Sequence, residues 1–143
     1  MIQRIQTVWL VLAAFSAAMG GIMLGNVVNG VPGNAAVTPT MEEWLALGVF
    51  SVVGVLSVLA VVLFQQRNRQ RKLILAAQYL ALLGIVGVFY QILVRADVAL
   101  AQLAPWNMWL GPALAVATYP LLWLARRGVE ADIKLLQSVD RLR

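Results

Sequence analysis

The sequence predicts an all-α membrane protein: four transmembrane helices in an antiparallel up-down bundle, followed by a C-terminal amphipathic cytoplasmic helix. Three observations predict it. Residues 5–41, 44–66, 73–94 and 98–125 carry no Asp, Glu, Lys or Arg. About 20 apolar residues cross the ~30 Å hydrocarbon core as a helix, and soluble cores need no uncharged runs of that length. The composition agrees, with 62% apolar and only 12% charged residues and a mean hydropathy of +0.83. The basic residues, finally, gather in three short clusters that alternate with the apolar runs.

The first span is expected over residues 7–25. A Gly-, Asn- and Pro-rich outer loop follows, with Val31-Pro32-Gly33-Asn34 as a turn signal. Thr40 and Glu43 have capping-box spacing and open the second span, residues 44–64. The third covers residues 73–94. The fourth covers residues 106–125, with Pro105 suited to its first turn. Pro112 and Pro120 each remove a backbone donor and are expected to bend it, unless Pro112 marks its start. The layout is thus a four-helix domain over residues 1–125 and a tail over 126–143. Val129, Ile133, Leu136 and Val139 recur at helical spacing in the tail, and Glu130 is placed to pair with Lys134. The tail is too charged to span and is expected along the membrane surface or on a partner.

Orientation follows from charge, because Lys- and Arg-rich segments stay in the cytoplasm. Arg4, the run Arg67, Arg69, Arg71 and Lys72, and the tail residues Arg126, Arg127, Lys134, Arg141 and Arg143 share one face. That is ten of the eleven basic residues. Only Arg95 falls opposite, with Glu42, Glu43 and Asp97. Both termini are therefore expected in the cytoplasm. Trp44, Trp106 and Trp109 at outer ends, with Trp9 and Trp123 at inner ends, fit the headgroup zones. A competing reading makes the first 21 residues a cleaved signal peptide with Ala18-Met19-Gly20 as its cleavage site. The thin charged region, and an apolar run reaching Leu24, favour a retained span.

Small residues form rows suited to close helix approach. The first span has Ala13, Ala17, Gly21 and Gly25 at spacing four. The second has Gly48, Ser51, Gly54, Ser57 and Ala60 at spacing three. These rows predict an intimate pair of the first two helices, although Ala, Gly and Ser are common in any membrane helix. Ala77, Ala81, Gly84 and Gly87 add a row in the third.

Chemistry is scarce. The chain has no Cys and no His, which excludes disulfides and thiolate sites and removes the commonest general base and metal ligand. No charged side chain lies deep in a predicted span. Gln78, Tyr90 and Gln91 could line a polar path, but Gln bonding between helices explains them as well. The four-residue basic link, with Arg126 and Arg127, suits anionic lipid headgroups or a docking partner, although setting topology is sufficient reason for it. Nucleic acid is not expected, because no aromatic residues interleave with the short basic run. No enzymatic activity and no cofactor are expected.

The two ends are distinctive. Met1-Ile2-Gln3-Arg4-Ile5-Gln6-Thr7 leads directly into the first span, and Ser138-Val139-Asp140-Arg141-Leu142-Arg143 closes the chain. With the four-span layout, they resemble the Bacteroidota membrane family catalogued as domain of unknown function 4293. Members tend toward a Lys-Asp-Glu-type start of the tail, where this chain has Gly128-Val129-Glu130-Ala131-Asp132. The resemblance implies a diderm bacterium and an inner-membrane location, and implies no activity. Together these readings lead to a non-enzymatic accessory or scaffold subunit of an inner-membrane assembly. Its partners would be membrane lipids and other subunits or further copies of itself. Arg4 would pair with the tail acids Asp132 and Asp140, so that the N-terminal segment and the tail, with its cations, form one docking face. The alternative is a small oligomeric transporter or lipid-handling protein.

Overall fold

The computed structural model describes residues 2–27, 41–94 and 107–140. They form four helices: α1, Ile2–Val27; α2, Met41–Val62; α3, Arg67–Val94; and α4, Asn107–Asp140. The turn signal at residues 31–34, Thr40, Arg95, Asp97, Pro105, Trp106, Arg141 and Arg143 lie outside the described residues. So do the side chains of Arg4, Gly25, Glu42, Glu43, Gln91, Val139 and Asp140.

Three helices are long and apolar enough to cross a membrane, over Ile5–Leu24, Trp44–Val62 and Arg67–Tyr90. Within the described residues α4 is not among them, and its second half is charged. The helices also run beyond the predicted spans. The basic link is not a loop but the opening turns of α3. Only residues 63–66 separate it from α2, and the Gln66 carbonyl caps it by accepting from the Arg69 and Gln70 N–H groups, both at 2.9 Å. The tail is likewise no separate segment. α4 continues unbroken through residues 126–128 and includes both prolines.

α1 packs on α2 and α4, and α3 closes the ring by packing on the same two helices. Contacts fix the directions. Gln6 lies against Gly128, Gly20 against Ala115 and Leu24 against Gly111, so α1 and α4 run oppositely. Gly21 meets Phe50, and Gly54 meets Ala14, so α1 and α2 do too. α1 and α2 thus form the close antiparallel pair that their small residues predict, and the most extensive contact of α1 is with α4. Gly20 and Gly111 explain the close approach. A Cβ on Gly20 would sit 3.1 Å from the Ala115 nitrogen, and one on Gly111 would sit 3.1 Å from the Leu24 nitrogen. Both obstacles are backbone, which cannot swing aside.

The core among the described residues is correspondingly lean. Seven of its fourteen buried apolar residues are alanine, around Leu10, Phe50, Ile74 and Leu122. Short side chains maximise backbone proximity and dispersion contact, which hold helices together where lipid removes the hydrophobic drive. The long apolar side chains face outward instead, among them Phe15, Val55, Leu83, Phe89 and Leu93. Such a surface suits hydrocarbon and would aggregate in water. Trp44 and Trp109 are exposed and Trp9 is half-buried.

The predicted rows divide on this ring. Ala13, Ala17 and Gly21 are buried, as are Gly54, Ser57 and Ala60. Gly48 and Ser51 are not, and a Cβ on Gly48 would meet nothing within 4 Å. These two take no part in the packing among the four described helices of one chain. At 3.6 residues per turn, a spacing of three slips about 60° per step, so the row winds off the buried face. A row at spacing four drifts less.

Candidate functional site at the basic helix ends

Every charged side chain that the structure describes belongs to one end of the molecule. Arg67, Arg69, Arg71 and Lys72 come from the opening turns of α3. Arg126, Arg127, Glu130, Asp132 and Lys134 come from the second half of α4. Basic residues oppose the positive dipole of a helix N-terminus. The opposing charge comes from α4. Glu130 Oε1 accepts from Arg126 Nε at 2.9 Å and lies 3.3 Å from Arg71 Nε. The Arg126 hydrogen bond, with the charges of Arg126, Arg71 and Lys134, holds the Glu130 carboxyl below its ordinary range against a smaller opposing effect of burial. The ion pairs thus run to Arg126 and Arg71 rather than the expected Lys134. Arg127 stacks over the Trp123 ring at 4.4 Å from its centroid.

Beneath this charged belt lies a cavity of about 260 Å³, lined by Gln6, Thr7, Phe64, Arg67, Gln70, Val129 and Asp132. Three of these are polar and almost wholly buried: Gln6 and Gln70 are each 5% exposed and Asp132 is 7% exposed. Arg67 Nη1 donates to the Asp132 backbone carbonyl at 3.4 Å, which leaves the Asp132 carboxylate itself without a hydrogen-bond or ion-pair partner among the described residues. Gln6 is folded over Gly128, where a Cβ would come within 2.5 Å of Gln6 Cγ. Its Nε2 is buried and has no hydrogen-bond partner among the described residues.

The sequence-predicted residues distribute unevenly around this site. Arg67 reaches the cavity and Arg126 joins the ion pair, while Arg69, Arg71, Lys72 and Arg127 are exposed. Of the polar path, Gln78 and Tyr90 are described and the Gln91 side chain is not. Gln78 is buried, but Tyr90 is 63% exposed on the outer surface. Twelve residues separate the two, which puts them about 120° apart around the helix and about 18 Å apart along it. The apolar face of the tail is also rotated from the one expected. Ile133 is half-buried and Leu136 half-exposed, whereas Leu122, Ala125, Val129 and Asp132 form the buried stripe. Gln6, Gln70 and Gly128 were missed as site residues, and Asp132 was expected only as a partner for Arg4, whose side chain lies outside the described residues. The spacing from Ala125 to Val129 to Asp132, four and then three, was a usable signal for Asp132.

A family model described as domain of unknown function (DUF4293) matches residues 2–142. The chain belongs to this family. The match spans nearly the whole length and takes in all seven cavity residues, so the family expectation raised by the two terminal motifs holds. No curated protein and no solved structure matches the chain.

Proposed function

We propose that the chain is a four-span inner-membrane protein acting as a non-enzymatic accessory or scaffold subunit, with its basic end in the cytoplasm as the docking face. Residues 106–125 are the fourth span, pairing with α1. α4 has 34 residues and is therefore about 51 Å long, well beyond the ~30 Å hydrocarbon core. Its second half stands out from the membrane with the cations, and the positive-inside rule assigns that side to the cytoplasm.

One observation carries the subunit reading: the span interior is closed by packing, and its described hydroxyl groups are spent on backbone. Ser16 Oγ donates to the Leu114 carbonyl at 2.8 Å, Thr118 Oγ1 donates to the same carbonyl at 3.0 Å, and Ser57 Oγ donates to the Val53 carbonyl at 2.8 Å. Such an interior favours assembly over conduction. Available contact surface lies at the basic end, where exposed Leu135 and Leu136 accompany an open groove lined by Arg67, Arg69, Leu136 and Gln137 among others. Purification from native membranes in mild detergent, followed by native mass spectrometry, tests the reading. A stoichiometric heterologous partner is expected, and a chain recovered only alone or as a homo-oligomer sinks it. Orientation is tested separately. The chain has no Cys, so Lys134→Cys should react with a membrane-impermeant thiol reagent only from the cytoplasmic side.

A further inference from the structure

We propose that the cavity between Gln6, Arg67 and Asp132 binds a zwitterionic phosphoethanolamine group, supplied by an aminophospholipid headgroup or by a free soluble molecule of the same chemistry. The inference rests on the membrane placement proposed above, with this end at the surface, and not on the partner subunit.

The unsatisfied groups define the ligand. Asp132 offers a buried carboxylate with no cation or donor against it among the described residues. Gln6 offers a buried N–H with no acceptor. Arg67 makes only the single 3.4 Å bond to a backbone carbonyl among the described residues, so most of its guanidinium donors are spare. Leaving a buried donor or acceptor unmade costs about 1–3 kcal/mol, and more when it is charged. A cation alone would satisfy Asp132 and leave Gln6 and Arg67 idle. An anion alone would satisfy those two and be repelled by Asp132. A molecule with a phosphate at one end and an ammonium at the other satisfies all three. Charge-assisted bonds are the strong class of hydrogen bond, and Arg matches phosphate geometry.

Size and position agree. A cavity of about 260 Å³ is large enough for a phosphoethanolamine unit. Phe64 and Val129 give it an apolar side, against which a glycerol backbone or the ethylene carbons can rest. The headgroup region lies where the uncharged runs end and the charged belt begins, and the cavity sits at that level. The basic residues around it would favour any anionic lipid by general attraction. Asp132 is what turns the preference toward a zwitterion.

The test uses the full chain, delipidated in mild detergent and titrated with phosphatidylethanolamine, phosphatidylglycerol or soluble phosphoethanolamine, with retained ligand read by native mass spectrometry. Wild type should retain phosphatidylethanolamine over phosphatidylglycerol by about tenfold, the worth of one charge-assisted bond. Asp132→Asn should abolish that preference, lowering phosphatidylethanolamine retention and raising phosphatidylglycerol retention as the repulsion is removed. Gln6→Met should weaken both lipids together, because it removes a phosphate donor, and it carries the test if Asp132→Asn does not fold. Displacement of bound lipid by soluble phosphoethanolamine would assign the site to a free zwitterion, and failure of that displacement to a lipid. Equal lipid ratios in wild type and Asp132→Asn, or unchanged retention in Gln6→Met, overturn the proposal. Extraction of membranes with alkaline carbonate separates the two levels. A chain that stays in the membrane without lipid preference loses only this site, and a chain released from the membrane loses the placement as well.

Discussion

α1 and α4 meet twice in different ways. Toward the end away from the charges, Gly20 and Gly111 bring the two backbones together, and Ser16 spends its hydroxyl on the Leu114 carbonyl at 2.8 Å. Toward the basic end Gly128 again allows a close approach, but the side chain received there is Gln6, whose buried Nε2 has no partner among the described residues. Asp132 beside it is buried with an unpartnered carboxylate. The same two helices therefore have a closed contact and an open one. Satisfied polar groups hold a structure together, whereas an unsatisfied buried group costs stability and is worth keeping where something else completes it. The uncharged end of the pair reads as architecture and the basic end as a site.

The contrast can be broken at several points. The largest effect is expected from Gly111→Leu, because the added side chain meets the α1 backbone at Met23 and Leu24. Overpacking against backbone should destabilise by about 2–3 kcal/mol, read as a lower midpoint of thermal unfolding in detergent. An unchanged midpoint would mean that the two helices do not approach as described. Gly128→Ala should cost less, about 1 kcal/mol, because its obstacle is the flexible Gln6 side chain and not backbone. That variant should also disturb the cavity, so a loss of ligand retention larger than the loss of stability would sharpen the division between the two contacts. Ser16→Ala removes the bond between helices, but the Thr118 hydroxyl still donates to the same carbonyl. A cost of about 0.6 kcal/mol is expected, the mean for such bonds in membranes, and ligand retention should not change.

The smallest effect is at Glu130. Its partly exposed pairs with Arg126 and Arg71 should be worth about 0.5 kcal/mol or less. Because the folded carboxyl titrates below its ordinary value, the contribution is present above the unfolded value of about 4.3 and is lost as pH falls through the lower folded value. The difference in unfolding midpoint between wild type and Glu130→Gln should therefore vanish on acidification below about pH 4. A difference that grows in acid would refute the assignment.

Much of the fold was legible because the signals were local. Hydropathy marked the helices, since an uncharged run of 20 residues has few other uses. The terminal motifs marked the family. The rows of small residues were legible only in part. Spacing shows that residues share a helix face, but not which face a neighbour covers, and so Gly54, Ser57 and Ala60 were distinguished from Gly48 and Ser51 only by packing. The candidate site was nearly invisible. Arg67 stood out as a cation and Asp132 as an acid placed to pair with Arg4, but Gln6 looked like one polar residue in a terminal motif. Gln6 carries no local signal of burial, because its burial comes from a helix far away in sequence, and the signal for Asp132 is only its spacing from Ala125 and Val129.

From sequence alone came the helical membrane class, the segregation of charge to one end and the kinship with a family. Each depends on the residues of one segment, or on the order of segments, and on the fixed thickness of a bilayer. The tertiary structure decided that the tail continues α4, that α1 lies most closely against that helix, and that a carboxylate, a guanidinium and an amide from three helices border one cavity. Those outcomes depend on how far one helix is rotated and shifted against another. Close approach at Gly20, Gly111 and Gly128 sets that rotation, and no single segment contains it.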